Sequence, residues 1–310
     1  MNTMNTNKPL LTVFTPLYNR INTLTRTYES LCRQTSKNFI WLIIDDGSTD
    51  NPYDTIKNWL SADNGFEIKY VHKENGGMHT AHNVAYENID TELNVCIDSD
   101  DYMPDDAIEL IDKCWNENRN KGYAGIIALD FADSTKRVIG KELPRDCDSI
   151  TLSGYYANGG KGDKKLIYRT DIIKNTPEYP VFEGEKYISL SIKYCLIDEK
   201  YEMKILNENV CYVDYQMDGS STNMYRQYIN NPKGFAWFRK FQMIHSITTK
   251  EKIKACIHYV SSSLIAKNKN FIKESPEKFL TVLSVPFGWC LKCLVLKKSK
   301  DSYMKVEGIK

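Results

Sequence analysis

The sequence holds 310 residues, with 41 Lys and Arg against 40 Asp and Glu and a formal net charge of +1. That balance argues against a general nucleic-acid binder, whose basic excess would be its electrostatic footprint. With 42% hydrophobic and 26% charged residues, the chain is neither disordered nor collagen-like, and its length suits one large domain or a core with an appendage.

The opening stretch, MNTMNTNKPLL, has no apolar run behind a basic cluster, and residues 1–8 read as a flexible tail. From there to residue 130 two hydrophobic patterns alternate. Residues 10–15 (LLTVFT), 39–44 (FIWLII), 66–71, 93–97 (LNVCI) and 123–129 (YAGIIAL) are short apolar or β-rich runs. Residues 21–34 and 105–118 have helical spacing, the second opening behind Pro104 with two acids in its first turn. Strands alternating with helices of this length predict β-α-β units and a mostly parallel sheet flanked by helices.

Between residues 134 and 223 the pattern is irregular, with strands expected at 165–169, 201–206 and 210–216 and a helix at 185–197. Past Met224 it becomes helical, over 235–247, 250–267 and 276–296. The expected organisation is a sheet domain over 9–225, divided at 130, and a C-terminal helical region over 226–310.

Nine cysteines stand singly in apolar surroundings, which fits a reducing cytosol better than a disulfide framework. Cys290 and Cys293 read as two thiols one turn apart on an apolar helix. Residues 279–296 are the most apolar stretch, yet Pro286, Gly288 and Lys292 interrupt a run already short for a membrane span. Residues 292–310 carry six Lys against two acids. Two readings stand: a helix lying on an anionic membrane surface as a peripheral contact, or a terminal helix docked on the protein's own core.

Four polar clusters follow the first four apolar runs: Thr15 to Arg20 (TPLYNR), Asp45 to Asp50 (DDGSTD), Glu74 to Gly77 (ENGG) and Asp98 to Asp101 (DSDD). In an open parallel sheet all carboxyl ends share one edge, where ligands bind, so these clusters should converge. Asp98, Asp100 and Asp101 in one loop call for a cation, and hard oxygen ligands favour magnesium or manganese bound together with substrate phosphates. No P-loop is present, and no G-x-G-x-x-G follows the first strand. A metal-held diphosphate with its base and sugar on the other loops is what these observations leave.

TPLYNR, DDGSTD, ENGG with Asn83 nearby, and IDSDD, in this order, resemble the nucleotide-sugar domain of family 2 glycosyltransferases. The resemblance covers about the first 130 residues and continues weakly to 225. It implies a GT-A fold, which is a Rossmann-like α/β domain, and inverting transfer of a sugar from a nucleotide-sugar, most simply a UDP-sugar. It also implies Mn2+ or Mg2+ as cofactor and a saccharide or lipid-linked acceptor in cell-surface polysaccharide synthesis.

Residue by residue, the resemblance implies that Thr15, Pro16 and Tyr18 line the base pocket and that Asp46 accepts a hydrogen bond from the base. Asn75 and Gly76 would line the donor site. Asp98, with Ser99 beside it, would contact ribose or the metal's water shell, and Asp100 would ligate the metal. Asp45 and Asp101 read equally well as structural residues, Asp101 as the cap of the next helix.

Two departures stand out. His82 occupies the place of an Arg that would contact the diphosphate. Near the family's Glu-Asp pair stands FEGEKY, with Glu185 aligned to the pair and Lys186 replacing its second acid. Glu185 is the expected general base, with Glu183 second; the structural alternative is a carboxylate near a helix start. Residues 218–223 (DGSSTN) resemble a loop that closes over the donor. The processive-synthase signature Gln-x-x-Arg-Trp is missing, which favours transfer of one sugar per encounter. The rival readings are a non-catalytic nucleotide-sugar binder and a nucleotidyltransferase, which would release pyrophosphate instead of UDP.

Overall fold

The computed structural model describes residues 8–215, 224–246 and 248–307. Residues 218–223, the expected closing loop, lie outside them, as do residues 1–7 of the expected tail. Contacts divide the chain into two compact units. One runs through Glu178 and resumes over Lys193–Tyr215; the other joins Tyr179–Ile192 to the chain from Gln216 onward. Segment 179–192 therefore belongs with the C-terminal helices, not with the sheet that precedes it in sequence.

The first unit is an α/β domain. Its first half alternates β1 (Leu11–Leu17), α1 (Ile21–Cys32), β2 (Phe39–Asp45), α2 (Tyr53–Ser61), β3 (Glu67–His72), α3 (Met78–Asn88), β4 (Leu93–Cys96), α4 (Ala107–Asn118) and β5 (Gly125–Ala132). It continues through β6 (Arg137–Val138), β7 (Ser149–Ile150), α5 (Leu152–Ala157), β8 (Lys164–Arg169), α6 (Thr170–Lys174), most of α7 (Ser191–Asp198) and β9 (Met203–Val213). The strands form one sheet in the order β3-β2-β1-β4-β8-β5-β9-β7, with β6 on β5. β3, β2, β1 and β4 run parallel, β8 runs against β4 and β5, and β9 returns parallel to β5.

Every residue of β1 and β2 is buried, as the apolar run of a strand covered on both faces requires. On one face Leu24 and Leu31 of α1, two turns apart, and Ile108, Ile111 and Trp115 of α4, at three- and four-residue spacing, meet Val13, Trp41 and Val95 of the sheet. α3 covers the same strands with Ala81 and Ala85, side chains small enough for its backbone to come close.

Two expectations for the irregular region need correction. The two strands expected at 201–206 and 210–216 are one strand, β9, which carries register shifts opposite Ala128–Asp130. The irregular pairing falls between the two expected segments. The helix expected from residue 185 begins only at Ser191.

The second unit is helical: α8 (Met224–Asn230), α9 (Pro232–His245), α10 (Thr249–Ile265), α11 (Phe271–Glu274), α12 (Lys278–Leu283) and α13 (Val285–Glu307). α10 is its centre, packing against α9, α12 and α13. Thr248 and Glu251 form a reciprocal capping box that starts it.

Candidate active site

The carboxyl ends of β1, β2, β3 and β4 lie along one edge, and the loops that leave the first three are bonded to each other. Asn19, at φ 51°, accepts hydrogen bonds from the amide and hydroxyl of Thr49 at 2.7 and 3.2 Å. Asp50 accepts from the amide of Ile21 at 3.1 Å and so caps α1 from the neighbouring loop. Gly47, at φ +72°, is met closely by the third loop: a Cβ there would lie 2.7 Å from the Asn75 nitrogen. Glycine is needed both for its backbone angle and for this approach.

Asp46 is the knot of this arrangement. It is 3% exposed, and its carboxylate accepts from the Lys73 ammonium at 2.5 Å, the amides of Gly76 and Gly77 at 2.9 and 2.8 Å, and the side-chain amide of Asn75 at 3.0 Å. Four donors fill the roughly four acceptor positions of a carboxylate. Asp46 holds the 73–77 loop, and its expected bond to a base would be made from this same position. Asn75 and Gly76 likewise spend these groups on Asp46. Asp45 is structural in the same way, accepting from the Ser48 amide, the Tyr70 hydroxyl and His72 Nδ1. Burial works to raise its pKa, but the hydrogen bonds, led by Tyr70's, outweigh it and hold the carboxyl below its usual value.

Thr15 lies at the same edge with its side chain turned inward. Its side chain is fully buried, and its hydroxyl accepts from the indole of Trp41 at 3.0 Å, so it faces the core. Pro16 is buried as well, whereas Tyr18 is 48% exposed at the strand's end. Of the three expected base-pocket side chains, Tyr18 alone presents an open aromatic face.

After β4, Asp98 and Asp100 are half-buried and open outward, while Ser99 and Asp101 turn inward. Burial and then the charge of Asp98 push the Asp100 carboxyl up, partly offset by Arg20. A carboxylate so placed gains from an added cation. Among the described residues no group of three or more His, Cys, Asp or Glu forms a ready cation cage. One or two carboxylates completed by substrate phosphates is the usual arrangement for Mg2+, and Asp100 with Asp98 fits it.

Asp101 does not cap α4. It accepts from the Asp214 amide at 3.1 Å and so braces the loop against the end of β9. Beneath it, Lys165 of β8 lies 3.9 Å from Asp101 and 3.6 Å from Asp130, a nearly buried cation among acids.

The sequence reading passed over two residues that build this edge. Arg26, mid-way along α1, donates to the carbonyl of Asp100 at 2.5 Å and to Asp214 at 2.9 Å, which fixes the carboxylate loop from below. Lys73 closes the third loop. Each lies just outside a motif, and nothing in its local pattern distinguishes it from a surface cation.

His82 is 1% exposed, edge-on to Phe14 with ring centroids 5.0 Å apart, and its Nδ1 lies 3.2 Å from the Tyr86 hydroxyl. In this structure it packs among core rings and is not presented at the surface of the edge. Burial, helped by the Lys193 charge, lowers its pKa from 6.5 to about 3. The unfolded chain thus takes up a proton near pH 6.5 that the folded chain refuses until about pH 3. This contribution to stability is complete above pH 6.5 and is lost as pH falls through that window, by up to ~1.4 kcal/mol per pH unit. Urea denaturation from pH 7 to 4.5 should show a shallower pH slope for His82→Gln than for the wild type; equal slopes would refute this. His79, one turn earlier, is also buried, and both of its ring nitrogens have no hydrogen-bond partner.

In the second unit, Glu185 is 8% exposed, and its two oxygens accept from the amides of Lys233 and Gly234 at 2.9 and 2.7 Å. It caps α9, whose own N-cap residue makes no side-chain cap. Asn231 instead accepts from the Lys186 amide at 2.7 Å. The expected base is thus committed to a helix start, while Glu183 is exposed.

A family model described as Glycosyl transferase family 2 matches residues 12–176, more than half of the chain. The chain belongs to that family. It is 39% identical over 112 residues to an uncharacterized glycosyltransferase of Rickettsia conorii, covering 36% of this chain and 18% of that one. It is 25% identical over 320 residues to the hyaluronan synthase of Pasteurella multocida, covering 89% of this chain and 32% of that one. The chain thus spans less than a third of the length of either relative. Among solved structures, S. aureus TarS 1-349 in complex with UDP-GlcNAc superposes with a TM-score of 0.56 at 16% identity, covering 95% of this chain and 91% of that one. At that identity the likeness establishes the GT-A fold alone. The family's matched segment contains all four loops of the sheet edge.

Proposed function

We propose that this family 2 member is an inverting, metal-dependent glycosyltransferase. It would move one sugar per encounter from a UDP-sugar to a hydroxyl of a saccharide or lipid-linked acceptor, in the cytoplasm, for surface polysaccharide synthesis. The observation that carries the reading is the pair of open carboxylates, Asp98 and Asp100, on the edge that also bears the exposed ring of Tyr18. UDP-GlcNAc in the TarS complex and the hyaluronan product named for the P. multocida relative support the donor class and the polymer context.

In this reading Tyr18 stacks on the base. Asp98 meets the ribose or the water shell of the ion, and Asp100 ligates the ion. A bound Mn2+ or Mg2+ would neutralise charge on the departing diphosphate. The acceptor oxygen bonds to C1 as the C1–O bond to the diphosphate breaks on the opposite face, and a carboxylate takes the hydroxyl proton. We assign that proton to Glu183, because Glu185 is held by two backbone amides.

The test follows UDP release from UDP-sugars with manganese. Wild type should release UDP and not pyrophosphate. Glu183→Gln should lower kcat on the order of 10²- to 10⁴-fold with KM for the donor little changed. Glu185→Gln should chiefly lower thermal stability, by about 1 kcal/mol for a weakened cap. A fully active Glu183→Gln, or pyrophosphate as product, would overturn the assignment.

A further inference from the structure

Helices α12 and α13 are apolar on the wrong side. The inner face carries Thr281, Ser284, Gly288, Val295 and Ser299, all buried, and α12 and α13 pack there against α10, with α8 also on α13. Gly288 sits so close that a Cβ there would lie 2.5 Å from Val260 of α10, which holds the helix tightly against its neighbour. The opposite face exposes Phe279 (75%), Leu283 (55%), Phe287 (63%), Trp289 (58%) and Leu294 (48%). These recur mostly at spacings of three to five residues along the outer side. An ordinary amphipathic helix buries its large apolar side chains and shows water its small and polar ones. Here the small and polar face is the buried one, and a contiguous apolar face of this kind marks an interaction surface.

Charge identifies the occupant. Residues 278–299 contain four lysines, Lys278, Lys292, Lys297 and Lys298, and no acid. A second copy of the chain laid face to face would oppose these lysines with the same lysines. An anionic lipid surface would complement them, taking the Phe and Leu side chains below its headgroups and Trp289 at their level. No described helix is long and apolar enough to cross a membrane, so the contact lies in the plane of the surface.

We propose that the outer face of α12 and α13 docks the protein on an anionic bilayer, with its inner face remaining on α10. The two roles the sequence left as alternatives then belong to opposite sides of one helix. This inference does not depend on the proposed transfer reaction and is tested without a sugar donor.

The test is cosedimentation of the full chain with phosphatidylcholine vesicles, with and without phosphatidylglycerol. Binding should require phosphatidylglycerol and fade in high salt. Phe287→Ser with Leu294→Ser should weaken it on the order of tenfold or more. Lys297→Gln with Lys298→Gln should weaken it on the order of tenfold while leaving the apolar face untouched. Circular dichroism checks that each variant is folded; the changed side chains are exposed. No binding by the wild type, or binding indifferent to both variants, would overturn the proposal. So would a dimer in size-exclusion chromatography that the Ser variant dissolves, since the occupant would then be a second copy.

Discussion

Asp100→Asn should lower manganese-dependent sugar transfer on the order of 10³-fold and leave the protein folded. The two halves of this expectation have one cause. Burial and the neighbouring Asp98 raise the Asp100 pKa, so its charged form is disfavoured in the folded state. A raised carboxyl pKa means that, above it, ionised Asp100 costs stability. Asn keeps the shape and removes that cost, so without metal the variant's melting temperature should equal or slightly exceed the wild type's. With manganese the order should reverse. An ion that binds only the folded state stabilises it by mass action, and this gain should appear in the wild type and be lost in the variant. A manganese-induced shift of the same size in Asp100→Asn would show that another group holds the ion, whatever the activity.

The second large effect is expected at Asp46, and it is structural before it is functional. Removing its carboxylate leaves the Lys73 ammonium and the amides of Gly76 and Gly77 without an acceptor they now share. Lys73 keeps the Glu74 carbonyl and the Thr80 hydroxyl as acceptors, so the larger loss falls on the two glycine amides, at about 1–3 kcal/mol for each buried donor left unsatisfied. Asp46→Ala should therefore release the 73–77 loop. The measurement is amide hydrogen exchange: Gly76 and Gly77 should lose protection on the order of 10²-fold or more, and donor KM should rise as the edge loosens. Asp46→Asn retains one acceptor oxygen and should fall between. Unchanged exchange at Gly76 and Gly77 in the Ala variant would mean that the loop does not depend on this carboxylate.

These two aspartates show how far motif reading reaches. Asp46 and Asp100 were both legible as important, since each follows an apolar run in a polar cluster. Their roles were not equally legible. Asp100 sits where the open edge and the Asp98 charge make a cation useful, as the acid-rich loop suggested. Asp46 is surrounded by donors from a loop about 30 residues away, and no local pattern announces that Lys73, Asn75 and two glycine amides would all turn toward it. The directions of the Thr15 and His82 side chains were hidden for a related reason. A strand alternates its faces and a helix hides one side, so a residue inside a motif can still point into the core, as Thr15 does toward Trp41 and His82 toward Phe14. Glu185 was weighed as base or as helix-start carboxylate, and only the approach of α9, some 45 residues later, decided for the cap.

The sequence by itself determined the α/β class, the parallel run of the first four strands, the convergence of four loops on one edge and the family. These follow from hydrophobic period and from residues adjacent in the chain, which local physics links directly. Tertiary structure decided which carboxylates are spent on the protein's own backbone and which remain open. It likewise decided which side of α13 meets α10 and which remains apolar and exposed. Those outcomes depend on donors and surfaces brought from distant segments, and composition averages over them. The near-neutral charge of +1 is the plainest case, for it combines an acidic edge loop with an acid-free, lysine-bearing helical stretch.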